Sequence, residues 1–138
     1  TTAFFDQISE DDPMTAVTPK APNHTKLPPM ASRFVEVAAL PWDKSRYPGC
    51  ETKTLLVDRA SGLLTMLLRM APGAKLPDHE HVAIEQTYVI EGSFRDHDGV
   101  CRAGNFVWRR PGSRHEAWTD DGCLMLAVFL KPNRFFDQ

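Results

Sequence analysis

No stretch of this sequence is long and apolar enough to cross a bilayer as a helix, and its opening residues, TTAFFDQISEDD, are acidic where an export signal would be basic and then apolar. Neither a membrane span nor secretion is expected, and the cytoplasm is the expected compartment. Cysteine is scarce. Cys50, Cys101 and Cys123 are an odd number without C-x-x-C or zinc-ribbon spacing, which argues against a disulfide framework and for free thiols. Charge of one sign is also missing: 16 Lys and Arg against 18 Asp and Glu leave a net charge of -2, no footprint for nucleic acid or an anionic membrane. There is no glycine-rich phosphate cradle, no G-x-S-x-G around any serine, and no cysteine with a neighbouring histidine. A long 3.6-residue apolar period is absent too. What remains is 138 residues, enough for one domain with one core.

Residues 1–32 are set apart by composition. Pro13, Pro19, Pro22, Pro28 and Pro29 fall in a segment with few large apolar side chains, which can form neither a helix interior nor a central strand. We read it as an extended N-terminal arm, mobile or laid over a neighbouring surface, with His24 a solvent-exposed side chain. Residues 33–138 read differently. Short apolar runs (RFVEV, TKTLLVD, LLTMLLRM, TYVIEGSF, NFVWRR, HEAW, CLMLAVFL) alternate with the turn signals PGC, ASG, APGA, DHDG, RPGS and DDG. Strands of this length and spacing predict an all-β sandwich or barrel. FRDHDGVCRAG reads as a hairpin turning at Asp98-Gly99, with His97 a surface turn residue, and WTDDGCLML as a second hairpin turning at Asp121-Gly122.

The chemistry gathers in PGAKLPDHEHVAIEQTYVIEG, residues 72–92. On a strand His79 and His81 project from one face roughly 6.6 Å apart, close enough to share an ion. Glu85 has the same parity, but a straight strand would carry it about 13 Å beyond His81. A turn near Val82-Ala83-Ile84 is therefore expected, setting the carboxylate across from His81 on the inner face. A fourth candidate, His115, follows the Pro111-Gly112 turn in GNFVWRRPGSRHEAW and can return from a distant strand. Three imidazoles and one carboxylate make a nitrogen and oxygen donor set suited to one divalent metal ion, Fe, Zn, Ni or Mn, with positions left for water or substrate. Thr87 and Val89 share Glu85's parity and should line the cavity, as should Ala117 beside His115. Met66, Met70 and Met125 read as core filler, and Trp42, Trp108 and Trp118 as packing or interface residues.

These residues resemble the cupin superfamily. Its first motif, G-x5-H-x-H-x3-E-x6-G, is met by Gly73, His79, His81, Glu85 and Gly92; its second, G-x5-P-x-G-x2-H-x3-N, is met by Gly104, Gly112 and His115, with Arg110 at the first proline position and Thr119 at the closing asparagine. Over residues 40 to 130 the chain is similar to the cupin domain of ChrR-like anti-sigma factors and its stand-alone relatives. The resemblance implies a single-domain antiparallel RmlC-like jelly-roll β-barrel with metal ligands His79, His81, Glu85 and His115. ChrR-like factors carry a further zinc-binding helical domain, and a stand-alone cupin is expected here. Similar small cupins include dioxygenases that use non-haem iron on β-diketones or hydroxyacetophenones, often with three histidines and no carboxylate. In oxalate-decarboxylase-like cupins an arginine at the place of Arg69 points into the site and pairs with a substrate carboxylate or oxyanion. Arg69 is accordingly the candidate catalytic residue, the alternative being an outward arginine on a barrel strand.

Two functions stay open at this level. One is a metal-dependent, oxygenase-like enzyme acting on a small carbonyl or carboxylate compound; the other is a non-catalytic zinc-binding ligand or redox sensor of the anti-sigma type. A metal-independent sugar isomerase on the same barrel is disfavoured by the full ligand set. The expected partners are a small molecule and a second copy of the chain in a homodimer, since the arm and strand edges offer pairing surfaces.

Overall fold

The computed structural model describes residues 15–136. The alternation of apolar and polar residues is realised as eleven antiparallel strands: β1 (Ala16–Val17), β2 (Asp43–Lys44), β3 (Cys50–Asp58), β4 (Leu63–Met70), β5 (Lys75–Glu80), β6 (Glu85–Arg95), β7 (Val100–Arg102), β8 (Phe106–Arg109), β9 (Arg114–Trp118), β10 (Cys123–Phe129) and β11 (Arg134–Phe135). The expected all-β class holds. The sheet curls into two faces. The larger runs β1-β3-β4-β10-β6-β8, with β2 added to β3; the smaller runs β7-β6-β9-β5-β11. Among the described residues no helix is long and apolar enough to cross a membrane.

Strand parity decides what the core contains. On β4, Leu64, Met66, Leu68 and Met70 are buried while Leu63, Thr65, Leu67 and Arg69 are not; on β10 Cys123, Met125, Ala127 and Phe129 are buried in turn. These two inner rows, with Val57, Val89, Phe94 and Ala117, make the core between the faces, and the three methionines fill it as expected. The buried thiols of Cys50 and Cys123 are pushed up by burial, to about 11 and about 12, so both stay protonated core residues.

β6 serves both faces, and Gly92 is where it changes over. Residues 85–92 pair with β10 and β8, residues 93–95 with β7 and β9. A bulge opposite Leu124 and Met125 bends the strand there, and Gly92 takes a φ of 71°. A Cβ at Gly92 would stand 2.0 Å from the Gly122 carbonyl oxygen, so no side chain fits.

The hairpin at Asp98-Gly99 forms as read: Ser93, Phe94 and Arg95 face Arg102, Cys101 and Val100, and His97 is exposed in the turn. The second expected hairpin does not form. β9 pairs with β5 and β6, whereas β10 pairs with β4 and β6, so residues 119–122 carry the chain from one face to the other. Thr119 holds this crossover by donating to the Ser93 carbonyl and accepting from the Gly122 amide. Of the arm, residues 1–14 lie outside the described residues. Ala16–Thr18 are laid along the barrel, with Ala16 and Val17 facing Asp58 and Val57 and the Thr18 hydroxyl donating to the Leu55 carbonyl, whereas residues 25–30 are exposed. His24 corrects the expectation of free exposure: it is half-buried in a 3-10 turn, its Nε2 3.3 Å from the Phe34 carbonyl oxygen.

Candidate metal centre

β5 and β9 are neighbours in register, with His79 directly opposite His115. His81 follows the last residue of β5, and the chain turns through residues 82–84 before Glu85 opens β6, the turn that the spacing demanded. The three imidazoles converge edge to face, with ring centroids 5.0 Å (His79 and His81), 4.6 Å (His79 and His115) and 4.7 Å (His81 and His115) apart. One nitrogen from each lies within 4.8 Å of the other two. Glu85 comes in from one side, its Oε2 2.7 Å from His81 Nε2.

The far side of each ring fixes which nitrogen carries the proton. His79 Nδ1 sits 2.8 Å from the Pro77 carbonyl oxygen and His115 Nδ1 2.7 Å from Asp96 Oδ2, both acceptors only. His81 Nδ1 is 2.8 Å from Ser113 Oγ, whose own proton goes to the Arg110 carbonyl at 2.7 Å, so this hydroxyl also accepts. All three rings are thus held as Nδ1–H tautomers, and their Nε2 lone pairs face one another. His115 Nε2 and His79 Nε2 are 3.0 Å apart, and His81 Nε2 is buried without a hydrogen-bond donor, facing a carboxylate oxygen. Lone pairs at such distances repel unless a cation lies between them. The donor set therefore fits a divalent ion, with outward acceptors of the kind that orient metal-ligating histidines.

Electrostatics agree with the geometry. Burial is the main cause that lowers the His79 pKa to about 4, and burial likewise lowers that of His115; both favour the neutral ring that a metal requires. Burial pushes the Glu85 carboxyl up, but when His81 and His79 carry an added proton their contact and charge, with the Asn133 amide, outweigh it and bring it to about 2. Asp96 follows the same pattern: burial raises it, while His115, the Asp98 amide and Arg109 together hold it below the usual range.

His79, Glu85 and His115 form one wall of a small chamber of about 20 Å³, otherwise lined chiefly by Met66, Leu68, Met70, Phe94, Met125 and Phe129. Ala117 lines it as expected. Thr87 is buried and donates to Glu85 Oε1 at 3.2 Å, and Val89 lies fully buried in the core. Phe135 of β11 stands opposite His79 in register and covers it, ring centroids 4.8 Å apart.

Comparison with known proteins bears on this arrangement. The model of the ChrR cupin-like domain family matches residues 30–133. The chain belongs to that family. Its jelly-roll cupin fold is shared with solved structures at low identity. One is a provisionally assigned acetylacetone dioxygenase from Methylibium petroleiphilum PM1, with 18% identity, 78% of this chain and 83% of the other covered, and a TM-score of 0.72. Another is an acetylacetone dioxygenase from Acinetobacter johnsonii, with 15% identity, 78% and 80% covered, and a TM-score of 0.70. A third is the complex of Rhodobacter sphaeroides SigE with the anti-sigma factor ChrR, with 23% identity, 67% and 50% covered, and a TM-score of 0.58. No curated protein matches the chain in sequence.

In this ChrR cupin-like domain the structure brings together His79, His81, Glu85 and His115 but leaves Arg69 outside. Arg69 is exposed on the outer face of β4; its guanidinium stacks 4.0 Å above the Trp42 ring and reaches Glu51 Oε1 at 3.3 Å. The expectation that it points into the site is corrected by strand parity, because buried Leu68 and Met70 on either side take the inward positions. Four residues that sequence reasoning passed over complete the site. Asp96, beside the DG turn, holds His115 and pairs with Arg109 at 2.7 Å. Pro77 and Ser113 orient His79 and His81, and Asn133 donates to Glu85 Oε2 at 3.3 Å. Pro77 and Ser113 lie inside the first and second motifs, at positions the motifs leave unspecified; Asp96 and Asn133 lie outside both.

Proposed function

We propose that this ChrR cupin-like domain binds one divalent metal ion through His79, His81, Glu85 and His115 and uses it, in the manner of a non-haem iron oxygenase, on a small carbonyl compound. The observation that carries this is the convergence of three Nε2 lone pairs whose rings are fixed from behind by Pro77, Asp96 and Ser113. The ion supplies Lewis acidity toward a carbonyl oxygen and, if iron, electrons to O₂. The protein's own part is to hold and to exclude. Apolar walls keep bulk water from the cluster, Glu85 stays ionised as an anionic donor, and Asn133 and Thr87 fix both of its oxygens. No lysine or arginine lines the chamber, so a neutral carbonyl compound fits better than a carboxylate.

A second function, a zinc-stabilised ligand or redox sensor, is favoured by the chamber's size: about 20 Å³ holds a water molecule or little more. Metal analysis of protein purified without added metal, followed by oxygen uptake with β-diketones, hydroxyaryl ketones and small acids, separates the two. Iron with uptake supports the oxygenase. Zinc with no uptake for any compound supports the sensor. In either case His81→Ala should lose the metal, and full occupancy in that variant refutes the centre. The proposal includes a homodimer, supported by the exposed apolar row Tyr88, Ile90, Phe106 and Trp108 on the outer face of β6 and β8. Sedimentation velocity reads it directly.

A further inference from the structure

We propose that the cleft between β7 and β8 is a binding site for a small neutral carbonyl compound, whose oxygen accepts from the Arg109 guanidinium while its apolar part lies against Phe94, Val100 and Val107. The compound is thereby placed outside the chamber, not in it. The inference deepens the function proposed above and rests on that reading only for the class of compound.

The larger face ends in β8 and the smaller in β7, and residues of both strands line a cleft of about 230 Å³, against about 20 Å³ for the chamber. That is room for a small organic molecule. Strand parity turns half-buried Cys101, Val107 and Arg109 toward the cleft, with buried Phe94 and Asp96 at its inner end. Phe94 lines the chamber as well, and Asp96 touches the metal ligand His115, so the cleft ends one residue away from the metal centre. Its inner end offers donors and no spare acceptor. Asp96 Oδ1 takes the Asp98 and Gly99 amides, and Oδ2 is shared by His115 and Arg109. The Arg109 side chain is only 17% exposed, and among the described residues Asp96 is the one acceptor that its guanidinium meets, through Nη1 at 2.7 Å. Nε and Nη2 are left over. They are not sealed in the core either, since the orphaned buried atoms among the described residues belong to His24, His81 and Asn133. A planar fork with unused N–H groups on an apolar wall calls for an oxygen acceptor on the occupant. Charge then selects a neutral one: Asp96 already offsets Arg109, and exposed Asp98 puts a second carboxylate on the wall, so an anion gains little.

The test uses zinc-loaded protein, which is redox-silent, and three fluorinated probes followed by NMR: 4,4-difluorocyclohexanone, the hydrocarbon 1,1-difluorocyclohexane, and the anion 4,4-difluorocyclohexanecarboxylate. Wild-type protein should bind the ketone at least about 10-fold more tightly than either of the others, and in Arg109→Met the ketone and hydrocarbon should come within about 2-fold. The place of binding is read at Cys101, the half-buried thiol on the cleft wall, since Cys50 and Cys123 are buried elsewhere in the core. Saturating ketone should slow its alkylation by iodoacetamide at least about 5-fold, followed by mass spectrometry. Ketone bound no better than the hydrocarbon or the carboxylate, an undiminished preference in the variant, or an unchanged alkylation rate overturns the inference. If Arg109→Met does not fold, the wild-type probes and the protection of Cys101 decide. Oxygen uptake by iron-loaded protein is measured apart: its absence, with the binding pattern intact, counts against the oxygenase and leaves the cleft site standing. Protein that takes up no zinc counts against the metal centre, and the same probes are then measured on the metal-free protein, since the Arg109 donors do not depend on the ion.

Discussion

At the scale of single residues, the centre depends on what stands behind each ligand. Asp96 is buried, accepts from His115 and from the Asp98 and Gly99 amides, and pairs with Arg109. Asp96→Asn keeps a carbonyl oxygen for the turn but weakens the acceptor that orients His115. Metal affinity should fall by about 10–100-fold, read by competition with a zinc chelator, and an unchanged affinity would remove Asp96 from the centre. Arg69 gives the contrasting case. Its guanidinium lies on Trp42, outside the chamber, so Arg69→Ala should leave metal content and ligand binding unchanged and alter stability by no more than about 1 kcal/mol in a denaturant melt. The convergence of His79, His81, Glu85 and His115 was legible in the sequence because their spacing is local and motif-bound. Asp96 and Asn133 were not, because one stands 19 residues before His115 and the other 48 after Glu85, and only the register of the sheet brings them in.

At the scale of elements, strand parity and sheet crossing set the site. LLTMLLRM carried its answer: Thr65 and Arg69 share a parity opposite to Met66 and Met70, and the polar pair faces outward. The mistaken hairpin at Asp121-Gly122 has a different cause. A DG pair signals a sharp turn but not which strand the next one joins, and here the Thr119 side chain bridges Ser93 and Gly122, directing the chain across the barrel. Gly92 is the element-scale point of failure. Gly92→Ala drives a methyl group into the Gly122 carbonyl from a positive φ, and should cost about 3 kcal/mol or more, seen as a lower denaturation midpoint. A variant as stable as wild type would contradict the tight crossing of β6 and residue 122.

For the whole molecule, the buried centre couples folding to pH and to metal. The His79 pKa falls from 6.5 unfolded to about 4 folded, so between those values the unfolded chain binds more protons. Stability should be full above pH 6.5, decline as pH falls toward 4, and lose about 3 kcal/mol from this group at the limit. Glu85, lowered from 4.5 to about 2, adds a further loss below pH 4.5. His79→Gln should flatten the upper part of the profile of metal-free protein; a profile with the same slope would mean that another group titrates. Metal acts in the opposite direction. Free zinc at a hundred times its Kd should add about 2.7 kcal/mol, read as a rise in Tm, and no rise would argue against a site formed only in the folded state.

The order of the ligands along the chain has a consequence for biosynthesis. Emerging from the ribosome N-terminus first, the polypeptide has all its nitrogen donors by residue 115, whereas the segment that covers them, with Asn133 and Phe135, is made about twenty residues later. In the growing chain the three imidazoles are therefore made before the segment that covers them, and that side of the cluster closes only once residues 133–135 have joined the barrel.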